Sequence, residues 1–285
     1  MRSLLFVPGD SVRKFEKARG GAADALIIDL EDSVALDRKD EARAITAGML
    51  SGERGAQNLY VRVNALDTGR TLGDLAAVLP RKPDGIALPK CESAEQLRQV
   101  SLWLDGVEAS AGIQVGTTRI IAIATETAAS IFGLGSYRGA TERLEGLMWG
   151  AEDLAASLGA TENGGSGSYH SPYRLARDLC LMGAAAAGVA AIDTVWTNIE
   201  DLDGLTAEAR AARQDGFSAK AVIHPKHVDA VNAAFTPTEA EIAWARTVAD
   251  AFAADPSLGV VKIDGRMIDK PHLRAAEKVL AAAGR

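Results

Sequence analysis

Sulfur chemistry has little to work with in this chain: two cysteines, Cys91 and Cys180, stand far apart among 285 residues. That spacing supports neither a disulfide framework nor a zinc site, and it reads as two small core residues in a reducing compartment. The four histidines show no paired ligand spacing. Nucleotide and nucleophile motifs are missing too. The run from Gly164 to Gly167 lacks the Gly-Lys-Ser/Thr end of a P-loop, and no Gly-x-Ser-x-Gly elbow exists. Long charge runs are absent: 38 acidic residues against 31 basic ones give a net charge of −7 with neither sign gathered together. Nucleic acid and an anionic membrane surface are therefore not expected as partners. No apolar stretch is long enough to span a bilayer. The opening apolar run, Met1 to Val7, is broken at once by Pro8 and Gly9 and is too short for a secretory signal core, so the expected location is the cytoplasm.

What is present is a rhythm. Eight short runs rich in Val, Ile and Leu recur at Leu4 to Val7, Ala25 to Leu30, Leu59 to Val63, Gly85 to Leu88, Ile120 to Ala124, Gly146 to Trp149, Ala191 to Trp196 and Ala219 to Ile223. Continuous apolar runs separated by amphipathic stretches, such as Ser93 to Leu104 and Tyr173 to Gly188, are the pattern of parallel strands buried on both faces. Eight such units predict an α/β fold, a (β/α)₈ TIM barrel over residues 1–232, with a doubly wound open sheet as the competing arrangement. The position of polar residues favours the barrel. Asp10, Glu31, Asp32, Arg62, Asn64, Lys90, Glu126, Asp153, Asn198 and His224 fall at strand ends, which in a barrel converge on one mouth.

After His224 the rhythm stops, and residues 233–285 are expected to form a small C-terminal helical arm or lid. Thr236-Pro237-Thr238-Glu239 reads as a helix start, with Thr236 as N-cap, Pro237 at the first helical position and Glu239 closing a capping box. That helix is expected to run to about Ala253. A Gly-punctuated segment from Gly259 to Asp269 and an Ala-rich helix follow. The stretch Glu162 to Ser168 reads as a mobile loop at the mouth.

Glu126 and Asp153 each follow a buried run, so a hard cation could hold both at one sheet end; magnesium is the expected ion, with manganese as a substitute. Taken singly, Asp153 also suits a helix N-cap. Two carboxylates leave positions on the ion for a chelating 2-oxo or 2-hydroxy acid, and Arg62 could neutralise developing charge or pair with Glu31 or Asp32. Lys90 could form a Schiff base, although a solvated or ion-paired lysine is the commoner case. His224 reads as a structural hydrogen-bonding group.

Leu5-Phe6-Val7-Pro8-Gly9-Asp10, Asp29-Leu30-Glu31-Asp32-Ser33-Val34, Val61-Arg62-Val63-Asn64, Leu88-Pro89-Lys90, Glu126-Thr127-Ala128, Gly150-Ala151-Glu152-Asp153-Leu154, Ala190 to Val195 and Ile223-His224-Pro225 together resemble, in order, the citrate lyase β-subunit and malyl-CoA lyase family. The resemblance implies a (β/α)₈ barrel, magnesium dependence, and cleavage or formation of a carbon–carbon bond in acyl thioesters of 3-hydroxy acids, with acyl-CoA and a 2-oxo acid as partners. By the same resemblance Glu126 and Asp153 are metal ligands and Arg62 is the substrate arginine. Glu31 and Asp32 hold Arg62 and metal-bound water, and Arg13 and Lys17 meet CoA phosphates. The tail Gly265-Arg266-Met267-Ile268-Asp269 resembles an arm whose aspartate acts as acid/base in a neighbouring subunit. That implies catalysis by Asp269 and a homotrimer or dimer of trimers; on sequence alone Asp269 also suits a cap for the last helix. Where the family often carries Gln, this chain has His227, a departure that bears on substrate choice. Three other functions share the pattern: a malyl-CoA thioesterase, a lyase subunit acting on a carrier-bound acyl group, and a CoA-thioester binding module without turnover.

Overall fold

The computed structural model describes residues 1–165, 168–255 and 257–284. The chain divides into two compact units, Met1–Asn232 and Ala233–Arg285.

In the first unit the apolar runs pair as a closed barrel of eight parallel strands among the described residues. They are β1 (Ser3–Pro8), β2 (Ala25–Asp29), β3 (Asn58–Arg62), β4 (Gly85–Leu88), β5 (Arg119–Ile123), β6 (Leu144–Met148), β7 (Ala190–Asp193) and β8 (Ala219–Val222). β1 pairs with β2 on one side and β8 on the other, which closes the cylinder. Alternate residues fill its interior: Leu4, Ala25, Ile27, Tyr60, Ala87, Ile121, Ile123, Met148, Ile192, Ala219 and Ala221 form one buried cluster. The opposite faces of the strands are equally buried, Leu26 and Ile28 among them, which is why the runs are predominantly apolar and do not alternate.

Helices follow the strands, and some of their starts are locally encoded. Ser93 caps the helix Ala94–Ser110 by accepting from the Gln96 N–H, and Thr127 caps Ala128–Gly133 by accepting from the Ser130 N–H. Such caps contribute about 1 kcal/mol each. The expected loop from Glu162 to Ser168 contains a short antiparallel ladder pairing Gly164–Gly165 with Ser168–Tyr169; Ser166 and Gly167 lie outside the described residues.

The second unit is a helical hairpin with a β-hairpin inserted. Helices Glu239–Ala254 and Lys270–Ala283 enclose Ala245, Val248, Phe252, Ile263, Ile268 and Ala276. Its first helix starts later than the sequence suggested. Thr238, not Thr236, is the N-cap, and Glu241, not Glu239, closes the box with a 2.7 Å bond from the Thr238 N–H. Two Thr-x-x-Glu readings with the same spacing overlap here, and the structure adopts the second, in which Glu241 reaches back to Thr238. Strands Val260–Ile263 and Arg266–Asp269 pair across Asp264-Gly265, both at positive φ (48° and 78°), as a type I′ turn requires.

Candidate active site

Register places the first pair of functional groups. Asp29 and Arg62, the last residues of β2 and β3, are direct neighbours across the ladder. Both follow an interior residue by two, Ile27 and Tyr60, so both side chains enter the barrel mouth. The result is a bidentate fork: Arg62 Nε donates to Asp29 Oδ1 at 2.6 Å and Nη2 donates to Oδ2 at 2.7 Å. Arg62 Nη1 stands 3.0 Å from Glu31 Oε2, an ion pair lacking hydrogen-bond alignment, so that buried oxygen has no hydrogen-bond donor. The guanidinium also lies over the Phe6 ring at 5.0 Å. Burial opposes its charge, yet Asp29 and Glu31 outweigh that cost and hold Arg62 firmly protonated. Reciprocally, burial would raise the Asp29 carboxyl, but Arg62 keeps it below the usual carboxylate range.

The loop after β2 is pinned from both sides. Asp29 accepts the N–H groups of Glu31 (2.9 Å) and Ser33 (3.1 Å), and the buried Lys39 donates to the carbonyls of Leu30 (2.8 Å) and Glu31 (2.6 Å). Glu31 thereby faces the mouth almost fully buried, and burial pushes its carboxyl up despite the pull of Arg62 and Lys90. The sequence reading assigned the grip on Arg62 to Glu31 and Asp32. The structure corrects it: Asp29 and Glu31 hold Arg62, while the exposed Asp32 pairs with Lys90, at 3.3 Å. Asp29 was hidden as the polar end of an apolar run; counting by two from Ile27 would have found it.

Glu126 follows β5 and is 4 % exposed. Its Oε2 accepts the Lys90 N–H at 2.6 Å. Burial, then the nearby charges of Asp153 and Glu31, push its carboxyl up to about 8, against the opposing pull of Arg62. Gly150 makes room for it, since a Cβ there would stand 3.0 Å from Glu126 Cγ and 3.4 Å from Oε1. The same glycine's N–H is held by Thr125 Oγ1 at 2.9 Å, which ties the β5 and β6 loops together. Asp153 lies in the first turn of helix Ala151–Leu158, whose N-cap is Gly150, so the N-cap role considered for Asp153 belongs to a residue without a side chain. From behind, Trp149 Nε1 donates to the fully buried Asp193 at 2.6 Å, and Asp193 pairs with Lys220 (2.8 Å) and Arg177 (3.2 Å).

Lys90 is the residue the sequence reading undervalued. With φ at 50°, it turns its ammonium to within 2.6 Å of Glu31, 3.2 Å of Asp153 and 3.3 Å of Asp32. Burial works against that charge, but Glu31, Glu126 and Asp153 outweigh it and raise Lys90 well above the ordinary lysine range. A Schiff base needs a neutral amine, so this environment opposes that chemistry and matches the ion-paired reading.

The remaining candidates are spread out. Arg13 and Lys17 are exposed on helix Val12–Arg19 after β1, and Asp10 pairs with Arg38 at 2.8 Å. Asn64 donates to the buried Asp74, itself held by Arg43, and His224 Nδ1 accepts the Lys226 N–H, so both serve local structure. Asn198 is exposed beyond β7. In the second unit Asp269 is the N-cap residue of the last helix, with His272 Nδ1 2.5 Å from its Oδ1; that contact holds the carboxyl below its ordinary value.

The donor set suits a hard cation. Among the described residues no group of three or more His, Cys, Asp or Glu is arranged to hold a metal alone. Glu126, Asp153 and the donorless Glu31 Oε2 instead supply carboxylate oxygens at one mouth, and magnesium takes one or two carboxylates with substrate and water completing its shell. Residues 2–225, spanning this whole barrel and every loop of the mouth, match the HpcH/HpaI aldolase/citrate lyase family. The chain belongs to that family.

Its family relatives include a citrate lyase subunit beta of Leuconostoc mesenteroides subsp. cremoris, 34 % identical over 99 % of this chain and 93 % of the relative. A (3S)-malyl-CoA thioesterase of Cereibacter sphaeroides strain KD131 is 36 % identical over 99 % of this chain and 94 % of that one. Among solved structures of the family, CitE of Mycobacterium tuberculosis in complex with magnesium, acetoacetate and coenzyme A aligns over 100 % of this chain and 98 % of its own, with a TM-score of 0.81 and 34 % identity.

Proposed function

We propose that this chain is a magnesium-dependent carbon–carbon lyase acting on a 3-hydroxyacyl-CoA such as malyl-CoA or citramalyl-CoA, releasing a 2-oxo acid and an acyl-CoA. The observation carrying the reading is the single mouth that combines Glu126 and Asp153 with an immobilised Arg62. Support comes from the CitE structure described with magnesium, acetoacetate and coenzyme A. Glu126 and Asp153 would hold the cation; when bound, it polarises substrate oxygens and offsets their charge.

The protein's own groups then divide the work. Arg62, forked to Asp29 and unable to swing away, presents fixed positive charge where the thioester enolate develops. Glu31 orients Arg62, and Glu31 and Asp32 together orient Lys90 and water at the mouth. Asp269 of a neighbouring subunit takes the hydroxyl proton; the bond between the carbinol carbon and the α-carbon breaks, its electron pair passes into the enolate, and Asp269 returns the proton to that carbon. Arg13 and Lys17 receive CoA phosphates. This reading makes the protein a homotrimer or a dimer of trimers.

The test is a panel of 3-hydroxyacyl-CoA substrates with Mg²⁺ or EDTA, monitored for both 2-oxo acid and free thiol. A 2-oxo acid formed only with Mg²⁺, with no free thiol, is the expected result. The thioesterase relatives favour a second reading, which the same assay selects if free hydroxy acid and CoA accumulate without 2-oxo acid.

A further inference from the structure

Lys90 touches four acidic residues at the mouth, three with its ammonium and one with its backbone. Its ammonium touches Glu31 (2.6 Å), Asp153 (3.2 Å) and Asp32 (3.3 Å), and its backbone N–H donates to Glu126 (2.6 Å). Four carboxylates brought this close repel one another, and Arg62 is already committed to Asp29 and Glu31. The left-handed backbone at Lys90, φ 50°, is uncommon for a residue with a side chain; here it lets one residue serve Glu126 with its backbone and the other three acids with its ammonium.

We propose that Lys90 is the resident counter-ion of this site. Without a divalent cation its ammonium holds Asp153 in place with Glu31 and Asp32, and a divalent cation binds by displacing it from Asp153. The lysine thus keeps the mouth assembled between turnovers and weakens cation affinity in exchange. This rests on the magnesium reading of Glu126 and Asp153 above. It differs from a substrate-binding or Schiff-base lysine in predicting that removing the ammonium tightens metal binding.

The experiment uses the full chain with Lys90→Gln, which keeps the backbone N–H to Glu126, and Lys90→Arg, which keeps a positive charge. Mg²⁺ affinity is measured by isothermal titration calorimetry, and thermal unfolding is followed in EDTA and in excess Mg²⁺. Lys90→Gln is expected to melt several degrees below wild type in EDTA and to approach it in Mg²⁺. It is also expected to bind Mg²⁺ about tenfold more tightly, as loss of a competing charge at this distance predicts. Lys90→Arg is expected to recover most of the EDTA stability. Equal or weaker Mg²⁺ binding by Lys90→Gln, with wild-type binding intact and lost in Asp153→Asn, overturns the displacement proposal alone. Wild-type protein that takes up no Mg²⁺ overturns the magnesium reading and the displacement together.

Discussion

Arg62 illustrates how one side chain depends on its partners. A lysine in its place retains charge but cannot reach both oxygens of Asp29 while facing the mouth. Arg62→Lys is therefore expected to lower kcat/KM by about 10²–10³, the usual cost of losing one contact to developing charge. Steady-state kinetics on the preferred thioester, beside a thermal melt showing retained folding, checks it. A second prediction lies away from the mouth. Glu108, fully buried, accepts N–H groups from Gly116 and Thr118 and both terminal nitrogens of Arg143. Burial alone would raise its carboxyl, but these bonds hold it at about 2 against an ordinary 4.5. A depressed carboxyl stabilises the fold fully above its unfolded value, and that contribution disappears as pH falls from 4.5 through about 2. Glu108→Gln should cost on the order of 2–3 kcal/mol near neutrality and flatten the acid limb of stability against pH in that window, read by urea unfolding.

Elements convert local sequence into placement. The loop of β6 lies close against Glu126, and Gly150 leaves the space for it. Gly150→Ala would place a Cβ 3.0 Å from Glu126 Cγ, so the carboxylate must move by a few tenths of an ångström. Mg²⁺ affinity should fall about tenfold with little change in melting temperature, because precise ligand geometry suffers before packing does. The opposite balance is expected in the second unit. Thr238→Ala removes the N-cap of helix Glu239–Ala254 and should cost about 1 kcal/mol in denaturant unfolding. Its β-hairpin was legible in principle: Asp264-Gly265 between Val-Val-Lys-Ile and Arg-Met-Ile-Asp is a two-residue turn between short strands.

At the scale of the whole molecule, the proposed trans role of Asp269 has a distinctive signature. Glu126→Gln and Asp269→Asn, each inactive alone, should regain activity when co-expressed, since mixed oligomers pair an intact mouth with an intact arm. Assays on doubly tagged, purified hetero-oligomers check this, and activity no greater than the two separate variants would refute action across subunits. The barrel itself was readable because eight doubly buried parallel strands are predominantly apolar, and that constraint leaves a recurrent spacing. The positions of Arg62 at the end of β3, Glu126 just after β5 and Asp153 in the helix after β6 followed from the same counting. What the chain order could not reveal is who faces whom. Asp29 becomes the partner of Arg62 through the β2–β3 register, Asp32 is left to Lys90, and Lys90 becomes a hub because a left-handed backbone turns it inward among acids drawn from three other loops. Residue type and periodicity specify which groups arrive at a barrel mouth; charge pairing there is set across the ring, between segments far apart in the chain, and only closure of the sheet decides it.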